Sequence, residues 1–202
     1  VNPAQFGPGE DFDAYPRDES SDLEVFRAEG VDIAFVPPPE EMYPQGRTTS
    51  VAVGRLGEIL EGAHRTGHFD GVGTVCAKLF NLVQPRRAFF GQKDAQQVAV
   101  IKRMVVDLNF DLDIVVCPTV RDQDGLALST RNAYLTTEER RYATALYRSL
   151  AAGRSVLEGG GDPEAAQLEM NSLLATAPGI DVDYAVTCDA DTFEAPSRGR
   201  PV

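Results

Sequence analysis

Between residues 88 and 117 the apolar pattern changes period twice, and that change constrains the fold more than any other feature of the chain. Ala88-Phe89-Phe90 is a short apolar run that reads as a buried strand leading into Gly91-Gln92-Lys93-Asp94. Val98, Ile101, Val105 and Leu108 then fall on one stripe of an amphipathic helix, and 112–117 reads again as a strand. Strand, loop, helix and strand in that order require a crossover connection. They predict an α/β fold built on a parallel sheet.

The flanking segments supply further elements. Segment 1–17, rich in Pro and Gly, reads as a loop, and 20–29 as a short helix with Leu23 and Phe26 on one face and Gly30 as its stop. Strands are expected over 31–36, closed by Pro37-Pro38-Pro39, and over 49–53. Val72, Val75, Cys76, Leu79 and Val83 have helical spacing within 71–83, and Pro85 ends that helix. Past Pro118 the character shifts: Asp124-Gly125 marks a turn, and Thr136-x-x-Glu139 is a capping box opening a helix over 138–152. A helix over 163–175 and a strand over 182–187 follow, which predicts a second, smaller α/β unit with its boundary near residue 119.

Composition excludes several functions. With 31 acidic against 19 basic side chains the formal net charge is −12, the opposite of a dedicated nucleic-acid binder. No apolar run approaches the roughly 18 residues of a membrane span, and no leader-peptide pattern is present. Cys76, Cys117 and Cys188 form no CxxC pair, so neither a disulfide framework nor a zinc knuckle is indicated, and a cytoplasmic location is expected. The acidity is uneven: residues 1–45 hold 11 acidic and 2 basic side chains, whereas 86–103 hold Arg86, Arg87, Lys93, Lys102 and Arg103 against Asp94 alone. That basic stretch is where an anionic substrate would be sought first.

Four constellations are candidates for chemistry. Phe90-Gly91-Gln92-Lys93-Asp94-Ala95-Gln96-Gln97 puts a glycine at a strand end and a lysine before a helix, which suits phosphate; the plainer alternative is an Asp94–Gln97 capping box with Lys93 solvated. Asp124 to Asn132 places Ser129, Thr130, Arg131 and Asn132 together after a turn, again suited to phosphate oxygens or simply a polar turn. Asn2-Pro3-Ala4-Gln5-Phe6 offers neutral amides on a loop, able to donate to a carboxylate without adding charge, although on its own the pattern reads more simply as a plain turn. Glu61 to Phe69 contains both histidines, four apart, but Gly67 and the missing HExxH glutamate argue against zinc, and a loop where Arg65 or His68 meets an anion fits better. No GxSxG, GxGxxG or P-loop pattern is present.

In order along the chain, these motifs closely resemble pantothenate synthetase. The resemblance rests on Asn2-Pro3-x-Gln5-Phe6 with Asp13-x-Tyr15-Pro16-Arg17, Leu60-Glu61-Gly62-x-x-Arg65-x-x-His68-Phe69-x-Gly71-Val72, Phe90-Gly91-x-Lys93-Asp94-x-Gln96-Gln97, and Arg121-x-x-Asp124-Gly125-Leu126-Ala127-x-Ser129-x-Arg131-Asn132-x-Tyr134-Leu135. It implies a Rossmann-like nucleotidyltransferase sheet, incomplete at its N-terminus. Residues 1–119 would be the remainder of the nucleotide- and pantoate-binding domain, and 120–202 a smaller C-terminal α/β domain acting as a lid over ATP. The implied reaction joins (R)-pantoate to β-alanine with ATP and Mg²⁺ through a pantoyl-adenylate, releasing AMP and pyrophosphate, in a cytoplasmic homodimer that engages neither nucleic acid nor membrane.

By position, the resemblance assigns ATP to Gly91, Gln92, Lys93, Asp94, Val120, Leu128, Ser129, Thr130 and Arg131. Lys93, Ser129 and Arg131 would act catalytically on the triphosphate, Gln5 and Gln97 would bind pantoate, and Asn2 with Gln5 would bind β-alanine. No side-chain metal site is implied, since phosphate would carry most of the ligation. Three departures stand out: the family's His-x-Gly-His signature is absent, Gln92 stands where Glu is usual, and Thr130 where Ser is usual. The missing histidines make the alternative a catalytically silent ATP- and pantoate-binding fragment, and no counterpart of the family's closing strand follows Pro201-Val202.

Overall fold

The computed structural model describes residues 1–196; the chain end at Pro201-Val202 lies outside the described residues. In chain order the helices are α1 (Glu19–Ala28), α2 (Pro39–Met42), α3 (Glu61–His64), α4 (His68–Val83), α5 (Ala95–Asp107), α6 (Thr137–Glu158) and α7 (Pro163–Ala175). Strands β1 (Arg87–Gly91) and β2 (Asp113–Cys117) flank α5 and pair in parallel, from Arg87 opposite Asp113 to Gly91 opposite Cys117. The central expectation, a parallel α/β unit at 88–117, is met.

One apolar core holds that unit together. Val72, Cys76, Ala77 and Phe80 of α4 meet Ile101 and Met104 of α5, and Ala88, Phe90 and Ile114 of the sheet pack against them. Ile101 has no exposed surface, and its burial contributes about 2 kcal/mol. The period of two along β1 turns Ala88 and Phe90 inward and leaves Phe89 65% exposed, so the strand is half-buried rather than wholly buried as expected. In the segment after residue 119, where a smaller α/β unit is expected, buried Ala145, Ser149 and Gly153 of α6 and Ala166, Met170 and Leu174 of α7 lie along two helices. At Gly153 an added Cβ would come within 2.7 Å of Met170 Cγ, so the Met170 side chain would have to shift.

Local chemistry sets the helix ends. The Thr136 hydroxyl accepts from the Glu139 N–H while the Glu139 carboxylate accepts from the Thr136 N–H, so the expected capping box opens α6. The helix then runs past 152 to Glu158 because nothing between them breaks it. Asp18 caps α1, and Asp162 caps α7. No helix among the described residues is long and apolar enough to cross a membrane.

Three expected strands are absent. Segments 31–36, 49–53 and 182–187 have extended or irregular backbone with no strand assignment, and β1–β2 is the sheet that the described residues form. A strand needs a hydrogen-bonded neighbour as well as an apolar run. Val31, Ile33, Phe35 and Val36 have no such neighbour and stay exposed, Ile33 at 84%. Segment 49–53 spends its hydrogen bonds on α4 instead: the Val51 N–H donates to Thr74 Oγ1 at 2.9 Å and the Val53 N–H to Asp70 Oδ1 at 2.9 Å.

Candidate active site

The N-terminal amides are fixed by a single helical turn docked on α4. Residues Pro3–Gln5 form a 3₁₀ turn capped by Asn2, whose Oδ1 accepts from the Ala4 N–H at 3.3 Å and from the Tyr43 hydroxyl at 2.5 Å. Those two donors leave the Asn2 amide nitrogen to donate to Gln5 Oε1 at 2.9 Å and to the Gly71 carbonyl at 3.2 Å. Gly71 is what permits the approach: a Cβ there would lie 2.1 Å from the Ala4 carbonyl oxygen.

The second motif sits where β1 ends. Gln92–Asp94 make a 3₁₀ turn into α5, and Lys93 Nζ lies 3.1 Å from Asp94 Oδ1. Asp94 makes no side-chain cap, so the capping-box alternative for this motif does not hold. Gln97 is free to face the cavity described below. Gln96, by contrast, is buried and structural, its amide donating to the Leu56 and Ile59 carbonyls at 2.8 Å each while accepting from the Glu61 N–H.

The third motif is a hairpin-like loop returned onto β2's exit. The Leu128 N–H donates to the Val120 carbonyl at 3.0 Å, and Arg121 bridges Ala127. Gly125 takes φ +92°, and a Cβ there would strike the Tyr147 ring at 2.0 Å. Arg140 of α6 clamps the turn by donating to Asp122 at 2.7 Å and to Asp124 at 2.8 Å. Beyond it, Ser129 caps the 3₁₀ turn Thr130–Tyr134, accepting from the Arg131 N–H at 3.3 Å.

These segments meet at one cavity of about 470 Å³. Its lining brings together Asn2, Gln5 and Gln97, three amides, with Lys93, Asp94, Leu128, Ser129, Thr130 and Arg131. Val1, Phe6, Tyr15, Arg65 and His68 complete the wall. Three residues named by the resemblance do not line it. Gln92 faces a neighbouring cavity of about 710 Å³ with Thr119, Arg121 and Ala127, and Lys93 lines both spaces. Val120 is 65% exposed, and Gly91 is at the β1 end with open space before it.

Local sequence gave no sign of several contacts here. Arg131 donates through Nε and Nη2 to Asp11 at 2.8 Å each, Tyr134 donates to the same carboxylate at 3.2 Å, and Thr130 donates to the Tyr15 hydroxyl at 2.9 Å. Residues 11–15 and 130–134 are thereby strapped together beside the cavity, which Tyr15, Thr130 and Arg131 line. Arg65 does meet an anion as expected, but an internal one: its Nε donates to Glu10 at 3.1 Å, and its Nη2 pairs with the same carboxylate. Among the described residues no three His, Cys, Asp or Glu side chains are grouped to hold a metal. His64 ends α3 and His68 begins α4, so their four-residue spacing does not lie on one helix.

The strap has a pH signature. Hydrogen bonding from Arg131, with smaller help from Tyr134, holds the Asp11 carboxyl at about 2, below its ordinary 3.8. A carboxyl depressed on folding stabilises the folded state above its unfolded value, and that contribution disappears as pH falls from about 3.8 through about 2. Asp11→Asn is therefore expected to be less stable than wild type at neutral pH and to converge with it in that acid window. Thermal melts of both proteins across the range check this; parallel curves would contradict it.

Comparison with known proteins places this geometry in context. A family profile described as Pantoate-beta-alanine ligase matches residues 1–201. The chain is 52% identical over 199 residues to a pantothenate synthetase of Caldicellulosiruptor bescii, covering 98% of this chain and 71% of that protein. It is 54% identical to one of Moorella thermoacetica, covering 96% and 69%. Among solved structures, pantothenate synthetase from Thermus thermophilus superposes with a TM-score of 0.94 at 49% identity, over 97% of this chain and 71% of that one. A pantoate-beta-alanine ligase from Francisella tularensis, complexed with beta-gamma ATP and beta-alanine, gives a TM-score of 0.71 at 34% identity over 86% and 65%.

Proposed function

Because this chain belongs to the pantoate–beta-alanine ligase family, we propose that it condenses (R)-pantoate with β-alanine at the expense of ATP, through a pantoyl-adenylate. The observation that carries the reading is the convergence of amides and phosphate-type groups on one cavity from positions 2 to 131. In the first half-reaction a pantoate carboxylate oxygen attacks the α-phosphorus, the new C–O–P linkage forms and pyrophosphate leaves. Two anions must meet, so the site has to neutralise charge and hold the attack in line. In the second, the β-alanine amine attacks the activated acyl carbon and AMP leaves. That step needs no protein nucleophile.

The residue roles are those that the resemblance to the family implies. Lys93, Ser129 and Arg131 take the triphosphate, with Gly91, Gln92, Asp94, Val120, Leu128 and Thr130 around the rest of ATP. Arg131 keeps Nη1 uncommitted while Nε and Nη2 hold Asp11, so it can serve both. Lys93, lining both cavities, suits a long ligand that spans them. Gln5 and Gln97 take pantoate as neutral donors, and Asn2 with Gln5 takes β-alanine, Asn2 by spending its two amide hydrogens on Gly71 and on the Gln5 side chain that it holds in place. Mg²⁺, where bound, supplies charge neutralisation at the phosphates, and Asp94 is the cavity carboxylate that fits beside it. A lid function for residues 120–202, a cytoplasmic location and a homodimer belong to the same reading.

Gly91 offers a clean check on the nucleotide assignment. Its φ of −77° is open to any residue, and an added Cβ meets nothing within 4 Å, so the fold itself does not require glycine there. Gly91→Ala is expected to leave the melting temperature within error and to weaken ATP binding roughly tenfold by blocking close backbone approach, the reason such glycines precede phosphate sites. Unchanged ATP affinity would detach Gly91 from the nucleotide.

A second reading is that the chain binds ATP and pantoate without turning them over. The sequence holds no His-x-Gly-His, and its two histidines are engaged elsewhere, His64 3.7 Å from Asp183 and His68 2.8 Å from the Gln5 carbonyl. Titrating ATP and pantoate while following pyrophosphate separates the two. Pantoate-dependent release supports the ligase, binding without release supports the silent module, and binding of neither overturns both.

A further inference from the structure

The residue that holds the Gln5 end of the cavity in place is His68, at the first position of α4. The residue is 8% exposed, with Nδ1 2.8 Å from the Gln5 carbonyl oxygen and Nε2 3.3 Å from Arg65 Nη1. The tautomer follows from the partners. A guanidinium has no acceptor, so Nε2 must be the unprotonated nitrogen, and a carbonyl has no proton, so Nδ1 must carry the hydrogen. Arg65 is itself held by Glu10 and, at 3.6 Å, by Glu61, which fixes the direction from which its N–H arrives.

The consequence reaches the ligand end of Gln5. Its backbone carbonyl accepts from His68, its side-chain Oε1 accepts from Asn2, and the Gln5 amide nitrogen is the donor left for the cavity. Asn2 is in turn oriented by Tyr43 and the Ala4 N–H. Both ends of Gln5 are therefore pinned by groups that do not touch its outward N–H pair.

We infer that His68 is a positioning residue, which acts as a neutral Nδ1–H donor to the Gln5 carbonyl and so aims the Gln5 amide nitrogen at a carboxylate or hydroxyl oxygen of the substrate. This rests on the pantoate reading of the cavity. Groups facing the ring are the cation Arg65 and the carboxylates Glu10 and Glu61; burial, reinforced by Arg65, keeps the imidazole pKa below its ordinary value and the ring neutral.

Two measurements test it. In nitrogen-15 spectra of the uniformly labelled protein at neutral pH, one of the two histidines is expected to show a pyrrole-like Nδ1 and a pyridine-like Nε2, and the signal must vanish in both His68→Asn and His68→Gln. The reverse tautomer overturns the inference whether or not pantoate binds. In calorimetric titration, His68→Asn keeps a donor near the Nδ1 position and is expected to bind pantoate within about threefold of wild type, whereas His68→Gln loses that donor and binds roughly tenfold more weakly, with ATP affinity unchanged in both. Equal losses in Asn and Gln, or losses that extend to ATP, indicate a merely structural histidine and overturn it. A wild type that binds no pantoate contradicts the functional reading instead, and the tautomer signal still decides on His68.

Discussion

Replacing Lys93 with alanine is expected to lower pantoate-dependent pyrophosphate release by more than tenfold, a transition-state loss above about 1.4 kcal/mol. In the proposed adenylation, charge would move onto the leaving pyrophosphate as the α-phosphorus is attacked, and an ammonium facing it would be worth more there than in the ground state. Lys93 fits that place because it lines the amide-bearing cavity and its larger neighbour together. Its structural duty is slight. The side chain is 41% exposed and its one ion pair, with Asp94 at 3.1 Å, is a surface pair of the sort worth roughly 0–1 kcal/mol. The melting temperature should hardly move, so a rate loss without unfolding is the expected outcome. Equal rates in Lys93→Ala and wild type would remove Lys93 from the chemistry.

Gly71→Ala is expected to have the larger effect on binding, through a change that touches no substrate. The added methyl would fall 2.1 Å from the Ala4 carbonyl oxygen and 2.7 Å from Gln5 Cα, and both are backbone atoms that cannot rotate away. Either the Pro3–Gln5 turn lifts off α4 or the helix shifts. The overlap costs about 1–3 kcal/mol in either case. Lifting the turn breaks the Asn2–Gly71 hydrogen bond and the His68–Gln5 bond together, so Asn2 and Gln5 lose their aim at once. Pantoate affinity measured by calorimetry should fall by more than tenfold. ATP affinity should fall far less, because the Gly91–Asp94 and Ser129–Arg131 segments are untouched. Unchanged pantoate binding would mean that the turn does not present the amides.

The parts of the fold legible in sequence were those whose signal is local. The β1–α5–β2 unit could be read from Ala88 to Cys117 because apolar spacing there reports directly on which face is buried, and the Thr136–Glu139 box because both partners lie within one turn. The run from Val31 to Val36 misled because β-rich composition describes a side of the bargain only; strand formation also needs a partner, and none of the described strands lies beside it. Phe89 shows the same limit at one residue: the apolar run was visible, but which face had a helix over it was not.

For the candidate site, motif spacing identified which segments matter but not how they hold one another. Asp11 and Arg131 are 120 positions apart and His68 and Gln5 are 63 apart, so no local pattern couples them. The sequence points to Arg65 or His68 meeting an anion without distinguishing them; the structure pairs Arg65 with Glu10 of the same chain. Gln96, quoted within the same motif as Lys93 and Gln97, turned out to tie α5 to the segment before α3, a role that side-chain type alone could not distinguish from ligand binding.

The central claim, adenylation of a carboxylate in the cavity between Gln5 and Arg131, is tested most directly by isotope transfer. The protein is incubated with ATP, Mg²⁺, β-alanine and pantoate labelled with oxygen-18 in its carboxyl group, and the products are resolved by mass spectrometry. Attack at the α-phosphorus predicts one labelled oxygen in AMP and none in pyrophosphate or inorganic phosphate, with labelled AMP forming more than tenfold more slowly in Lys93→Ala. Label in inorganic phosphate would instead show an acyl-phosphate route through the γ-phosphorus, and label retained wholly in pantoate would contradict turnover by this chain.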